Sequence, residues 1–543
     1  MWLCFKYDHE AFVELTLDPK NYGDTQLARL GFRATPQAFA YDLLVSEYLS
    51  KYKGLKLSRD TKDEAIRTFV SSEEFVGTVN RRLLGLRSAS PPRLEAIISI
   101  ARRKISEVLG LRRDATFSFG WGPGSTFSIT GDVGWDRKIL EKRISVTASA
   151  LPLAQCAIGA DLHWCRARGI DADAVCSLLP TEFDVVPCNR ITTVPKNAKT
   201  DRTIAIEPTA NIFLQKGIGS WIRGRLKKVA RIDLDSQTLN QRYAGRLDYA
   251  TIDLKAASDS VSEQVVRLLL PEEWTFLLDA VRSPNYQLGG VVRRYQKWSS
   301  MGNGYTFELE TLLFWALSMA VQLIEGDRPH AIVYGDDILV PVGCAGSVIA
   351  ALGDFGFQTN LKKTHYESLY RESCGAHFFD RHLVTPIYQK EVPSHVGEVY
   401  HMANRLRLAA ARLGGYHFSD KTLFPAWKST LDSVHRLTQY SPLSWRSERN
   451  HVEPIGDSLE GGFHLSLEDC ELLGVPVFAW GSKVSLLCSI PRKRRFDQAA
   501  GVAFVLMTGS SLDGEDFLSL RGRCANRTRR KRCLRSFRSN VWL

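Results

Sequence analysis

Three aspartates carry the chemistry that this sequence could perform. In AIVYGDDILVP, the apolar β-branched runs 331–334 and 338–340 flank a tight turn at Gly335, Asp336 and Asp337, which puts two adjacent carboxylates at a sheet edge. Such a pair repels itself, but with a cation between them and a third carboxylate nearby it becomes a hard-oxygen site suited to Mg²⁺. The third acid stands in DYATIDLKAASDSVSEQVVRLLLP, where the run 250–252 predicts a strand ending at Asp253. Beyond it, Ser260 and Glu263 read as a capping box, and Val261, Val265, Leu268 and Leu269 as the buried face of the helix they start. Acids on neighbouring strand ends suit two-metal nucleotidyl transfer, in which cations roughly 4 Å apart bridge an attacking hydroxyl and a leaving pyrophosphate. A lone Gly-Asp-Asp is also an ordinary turn, so the weight rests on the two acidic segments together.

Between them lies WSSMGNGYTFELETLLFWALSMA, a polar loop that feeds a helix apolar nearly all round. Gly302 and Gly304 let backbone approach a ligand closely, and Asn303 offers a donor and an acceptor at the loop tip. The apolar run 312–324 contains Ser318 and Gln322 and is too short for a bilayer span, which predicts a buried helix. Tyr334, Trp298 and Trp315 read as packing residues. The first ~190 residues are mainly helical in pattern, with Tyr41, Leu44, Val45 and Tyr48, then Leu94, Ile97, Ile98 and Ala101, at helical spacing after Pro36 and Pro92. Residues 112–135 read as loop or hairpin, the middle third as mixed strand and helix, and the stretch beyond ~385 as helical again, then mixed.

At 543 residues the chain is long enough for about three packed units. Its 44% hydrophobic and 24% charged residues are the balance of a folded globular protein. A net charge of +12 points to a polyanionic partner, and nine of the basic residues lie within 521–538, leaving 12 − 9 = +3 for the remainder. That tail lacks a clear apolar stripe and is expected to stay mobile and to contact nucleic-acid phosphates without reading bases, the alternatives being docking on an acidic partner protein or packing as a helix. The eleven cysteines include no CxxC pair, which argues against a zinc ribbon and a disulfide framework and fits a reducing cytosol. Lys6, Asp8, His9 and Glu10 occupy the place where an export signal needs apolar residues, so none is expected.

In order, DLKAASD, SSMGNGYTFELE and YGDD resemble motifs A, B and C of viral RNA-dependent RNA polymerases, and the wording is closer still to the replicase β subunits of the RNA bacteriophages, the leviviruses. TVPKNAKTDRTIAIEP and FLQKGIG are similar to that family's motif F region, and FGFQTNLKKTHYESLYRESCGAHFFD to its motifs D and E. The resemblance runs from about Thr193 to Asp380. It implies an α+β right hand with an antiparallel palm sheet flanked by helices. Residues 1–245 would hold the N-terminal region and fingers with the basic loop 193–208, residues 246–385 the palm with a fingers insertion at about 272–298, and residues 386–543 the thumb and C-terminal region. It further implies Asp253, Asp336 and Asp337 as ligands of two Mg²⁺ ions, with Mn²⁺ as a substitute. Asp259 and Asn303 would sit near the ribose 2′-hydroxyl, Lys196, Lys199 and Arg202 would face the triphosphate, and Lys362 or Lys363 would be the general acid for pyrophosphate. The partners implied are RNA template and product, ribonucleoside triphosphates, host elongation factors Tu and Ts and a ribosomal protein, in the cytoplasm of an infected bacterium and with no membrane. His365, Cys374 and His377 lack a fourth ligand at finger spacing and are not expected to bind zinc.

Two other readings compete. A reverse transcriptase shares a YxDD turn, but Gly335 stands where those enzymes usually carry a larger residue, and no aromatic follows Asp253 closely to block a 2′-hydroxyl. Ribonucleotide against deoxyribonucleotide incorporation separates the two. A non-catalytic RNA-binding protein would bind RNA without metal and synthesise nothing.

Overall fold

The computed structural model describes Lys20, Tyr22 and residues 35–52, 60–85, 91–131, 135–170, 179–197, 200–393 and 420–430, most of 402–414, and two later strands, 483–488 and 527–532. The N-terminal part is helical where periodicity predicts it. Helix α1 (Pro36–Glu47) starts on Thr35, whose hydroxyl accepts from Ala38 N, with proline in the first turn. Helix α2 (Thr61–Gly85) follows, then α3 (Pro92–Leu109), which ends at Gly110 with φ +69°. Residues 115–131 are irregular, and no hairpin forms there.

Strands β1 (Ile144–Val146) and β2 (Phe183–Val185) pair in parallel, and β3 (Asn189–Pro195) and β4 (Asp201–Ile206) form an antiparallel hairpin with Pro195 opposite Asp201. Helix α4 (Thr209–Arg225) comes next, and then β5 (Tyr249–Ile252). The expected capping box is corrected here. Ser260 closes a short turn, Val261 is extended, and Ser262 caps helix α5 (Glu263–Leu269) by accepting from Val265 N. Glu263 turns to Arg267 instead of reaching back to the cap. Val261, Val265 and Leu269 are buried as expected, and Leu268 partly so.

Helix α6 (Glu272–Val281) leads to the hairpin of β6 (Asn285–Leu288) and β7 (Val291–Arg294), turned at Gly289 and Gly290, both with positive φ. Because β6 pairs with β3, residues 285–294 join the β3–β4 hairpin in one four-stranded sheet, order β4-β3-β6-β7. Helix α7 (Thr306–Ile324) is long and apolar enough to cross a membrane by composition, but 78% of that window is buried inside the protein. It packs as the central core helix.

Strands β8 (Ile332–Tyr334) and β9 (Asp337–Pro341) complete a second sheet, order β5-β9-β8, antiparallel throughout. Alternation covers both of its faces. Ala250, Ile252, Val333, Ile338 and Val340 pack with α7 and helix α8 (Ala345–Asp354), while Tyr249, Ile332 and Leu339 pack with Ala376 and Phe378. Those last two lie on β11 (Ala376–Phe379), between β10 (Tyr370–Ser373) and β12 (His382–Leu383). The fold is α+β, as expected.

One expectation about the tail fails. Arg527–Arg532 forms strand β14, paired antiparallel with β13 (Lys483–Cys488). An apolar stripe is not needed for a strand that gains its order from a backbone ladder. The rest of 521–538 lies outside the described residues.

Candidate active site

The β8–β9 hairpin is closed by Gly335 and Asp336, with Tyr334 opposite Asp337. Gly335 has φ +63°, and a Cβ there would stand 2.3 Å from Phe307 Cε2, so only glycine fits. The turn is tied to α7, since Gly335 N donates to Thr311 Oγ1 at 2.9 Å and Tyr334 meets Phe307 edge-on at 4.9 Å. Tyr334 therefore packs, as expected.

Ile252 pairs with Ile338, and continuing that register sets Asp253 across from Asp337. The segment after α8 straps Asp253 in place through bridges Thr251–His365 and Leu254–Thr359. Asn360 Nδ2 donates to Asp253 Oδ2 at 2.7 Å, and Lys363 Nζ stands 4.0 Å from Oδ1. Of the two candidate lysines, Lys363 is the one brought to the acids. Arg371 anchors the strap further, its buried guanidinium donating to the carbonyls of Tyr249, Leu247, Tyr366, Ser368 and Tyr370.

The electrostatics are those of acids crowded together. Burial, then Asp336 and Glu372, push the Asp337 carboxyl up to about 7. Burial also raises Asp253, with Asp336 and Glu372 adding to it against Lys363 and Asn360. Glu310 on α7 is pushed up to about 8 by burial and by Asp336, and accepts from Ser258 Oγ. For Lys363, burial opposes the ammonium, but Asp253, Glu372, Asp336 and Asp337 outweigh it and raise its pKa. Such a set favours a divalent cation. Among the described residues no three Asp, Glu, His or Cys side chains already close around one point. That suits Mg²⁺, which keeps waters and takes part of its shell from substrate phosphates. His365, Cys374 and His377 form no such group either, and His377 Nδ1 is engaged by Tyr370 Oη.

Lys196, just past β3, interacts electrostatically with the acids. Burial lowers the Lys196 pKa, as do the charges of Arg202 and Lys363, while Asp253 and Asp336 pull the other way. The field of the acids thus reaches Lys196. Arg202 lies opposite Val194 and is exposed; Lys199 falls outside the described residues.

Asp259 accepts from Lys297 Nζ at 2.7 Å, and that fully buried ammonium also lies 3.5 Å from Glu73 and 4.0 Å from the Phe69 ring centroid. Asn303 Oδ1 accepts from Ser300 N, and its Nδ2 donates to Glu207 Oε1 at 3.0 Å. The glycines beside Asn303 are needed for contact within the protein: a Cβ at Gly302 would meet Ala205 O at 2.2 Å, and one at Gly304 would meet Lys216 N at 2.9 Å. Trp298 and Trp315 are core residues, as expected. Sequence reasoning missed Glu372, Glu310, Lys297 and Glu207.

Known proteins resemble this chain in sequence. The model of "RNA replicase, beta-chain" matches residues 15–445. The chain belongs to that family. This β-chain family member is 44% identical to the RNA-directed RNA polymerase beta chain of Escherichia phage MS2 over 250 residues, 45% of each chain. It is 38% identical over 374 residues to the RNA-directed RNA polymerase subunit beta of Escherichia virus Qbeta, covering 66% of this chain and 60% of that one. The chain thus spans about half to three fifths of the length of these β-chain relatives. Among solved structures, a BmCPV RNA-dependent RNA polymerase at elongation state is similar over 60% of this chain and 33% of that one, at 12% identity and a TM-score of 0.34.

Proposed function

We propose that this chain is an RNA-directed RNA polymerase that adds ribonucleotides to an RNA-templated strand by two-Mg²⁺ chemistry, replicating and transcribing a viral single-stranded RNA genome in the cytoplasm of an infected bacterium. The observation that carries the reading is the strand register that sets Asp253 across from Asp337, beside the Asp336 turn, with Asn360 and Lys363 at Asp253. The three aspartates would hold two Mg²⁺ ions, or Mn²⁺ in their place, which would supply Lewis-acid activation of the attacking hydroxyl and charge for the leaving pyrophosphate. Lys196, Lys199 and Arg202 bind the triphosphate, Asp259 and Asn303 recognise the ribose 2′-hydroxyl, and Lys363 gives a proton to pyrophosphate. In this reading the β5-β9-β8 sheet is the palm (246–385), the β4-β3-β6-β7 sheet belongs to the fingers and takes in the insertion 272–298, and residues 386–543 make the thumb and C-terminal region. Elongation factors Tu and Ts and a ribosomal protein are proposed as host partners on the family resemblance.

The test is template-directed incorporation of labelled nucleotides by the purified chain, with and without host extract. Ribonucleotide incorporation that needs Mg²⁺ and stops with a chelator supports the reading. Deoxyribonucleotide preference would make it a reverse transcriptase, and metal-independent RNA binding with no synthesis would make it a binding protein.

A further inference from the structure

We propose that Glu207, just after β4, is a positioning residue that, together with Ser300 N, holds the Asn303 amide so that its nitrogen side meets the nucleotide sugar; this rests on the polymerase reading above. Glu207 is 2% exposed, and four side chains from four segments donate to its carboxylate. Oε1 accepts from Asn189 Nδ2 at 2.6 Å and Asn303 Nδ2 at 3.0 Å, and Oε2 accepts from Gln215 Nε2 at 3.0 Å and Ser283 Oγ at 2.9 Å. Burial raises the Glu207 pKa against the pull of its four donors, but accepting twice at each oxygen is the part of an ionised carboxyl, which has acceptor sites on both and no proton to place.

The oxygen ends of the amides are held as well: Asn303 Oδ1 accepts from Ser300 N, Gln215 Oε1 from Gly304 N, and Asn189 Oδ1 from Tyr295 Oη, a hydroxyl able to donate or accept. Each remaining amide nitrogen therefore faces the carboxylate, and the arrangement holds only if residue 207 accepts from all of them. Through Asn303 and Gln215, Glu207 governs two consecutive residues of the 299–304 loop. A primary amide has two N–H groups; with one of Asn303's on Glu207, the other is left to donate to a sugar hydroxyl. A flipped amide would turn an oxygen to the carboxylate and forfeit that donor.

The chemistry separates positioning from mere support. Glu207→Gln replaces one acceptor oxygen by an N–H₂, so the four donors no longer all find an acceptor and the Asn303 amide is held less firmly. Glu207→Gln with Asn303→Asp restores a donor–acceptor pair with reversed polarity, but the carboxylate introduced on the loop has no N–H for the sugar. The readouts are thermal unfolding and the ratio of kcat/KM for a ribonucleotide to that for the matched deoxyribonucleotide, measured on the full chain with host extract added. The single variant is expected to lower the ratio roughly two- to tenfold, the discrimination one hydrogen bond supplies. In the double variant stability should recover while the ratio stays low. A wild-type ratio in either folded variant would overturn the proposal, and so would loss of the folded state in both, which would leave Glu207 a role in folding alone. If the wild-type chain incorporates no nucleotide, the polymerase reading itself fails.

Discussion

Lys297 is a fully buried ammonium between two carboxylates, 2.7 Å from Asp259 and 3.5 Å from Glu73, and Lys297→Met would leave both acids without it. Removing one partner of a buried pair costs about 3–5 kcal/mol, because an uncompensated charge stays behind. Here the two acids differ. The Asp259 side chain is 17% exposed and can turn to water, whereas that of Glu73 is 7% exposed and its Oε1 has no hydrogen bond, so Glu73 carries most of the penalty. Burial already raises the Glu73 pKa against the pull of Lys297, and without the ammonium it must rise further. The folded variant then escapes the penalty by keeping a proton on Glu73 at low pH, and loses that escape as pH rises through the raised value. The expected loss is therefore about 3 kcal/mol or more at pH 8 and distinctly less at pH 5.5, with Glu73→Gln in the same chain recovering part of it. Urea unfolding followed by tryptophan fluorescence reads this, and Trp298 is the neighbouring buried reporter. A loss under about 1 kcal/mol at pH 8, the size of a surface pair, or an equal loss at both pH values would refute the reasoning.

Other outcomes follow from the same geometry. Gly335→Ala demands a left-handed residue, costing about 1–2 kcal/mol before the clash with Phe307 is counted, and should lower the unfolding temperature and stop synthesis; an unchanged Tm argues against the turn. Asn303→Ala should reduce the preference for ribonucleotides by about 0.5–1.5 kcal/mol, read from paired kcat/KM values, and an unchanged ratio removes it from the ribose site. Asp337, held at about 7, keeps in the folded chain a proton that the unfolded chain releases near ~3.9. Its contribution to stability therefore falls as pH rises from about 4 to about 7, and Mg²⁺ should raise Tm more at pH 8 than at pH 5.5. Equal shifts at the two pH values would count against metal at this carboxylate.

The acids were legible because their geometry is local. A strand, a glycine turn and a strand bring Asp336 and Asp337 to an edge, and a strand end delivers Asp253, so hydropathy and turn chemistry suffice. The cap on α5 was read two residues early because serines stand at both 260 and 262 and only packing of Val261 into the core chooses between them. Gly289-Gly290 is a two-residue hairpin signal, but it stands in a segment that the family resemblance marks only as an insertion. Lys363 could not be told from Lys362 by spacing, since the choice depends on Asn360 tying the strap to Asp253. Glu207, Lys297, Glu310 and Glu372 gave no signal, as an isolated charge in sequence looks solvated until distant elements close over it. The tail was misjudged because its strand partner lies about forty residues upstream in another segment.

The measurement that bears most directly on the central claim is metal-dependent turnover in Asp336→Asn and Asp253→Asn, alongside their unfolding temperatures and RNA affinities. Each substitution keeps shape and removes charge, so the account predicts folded proteins that bind RNA nearly as before but no longer incorporate ribonucleotides at any Mg²⁺ concentration. Near-normal turnover in either variant would contradict it.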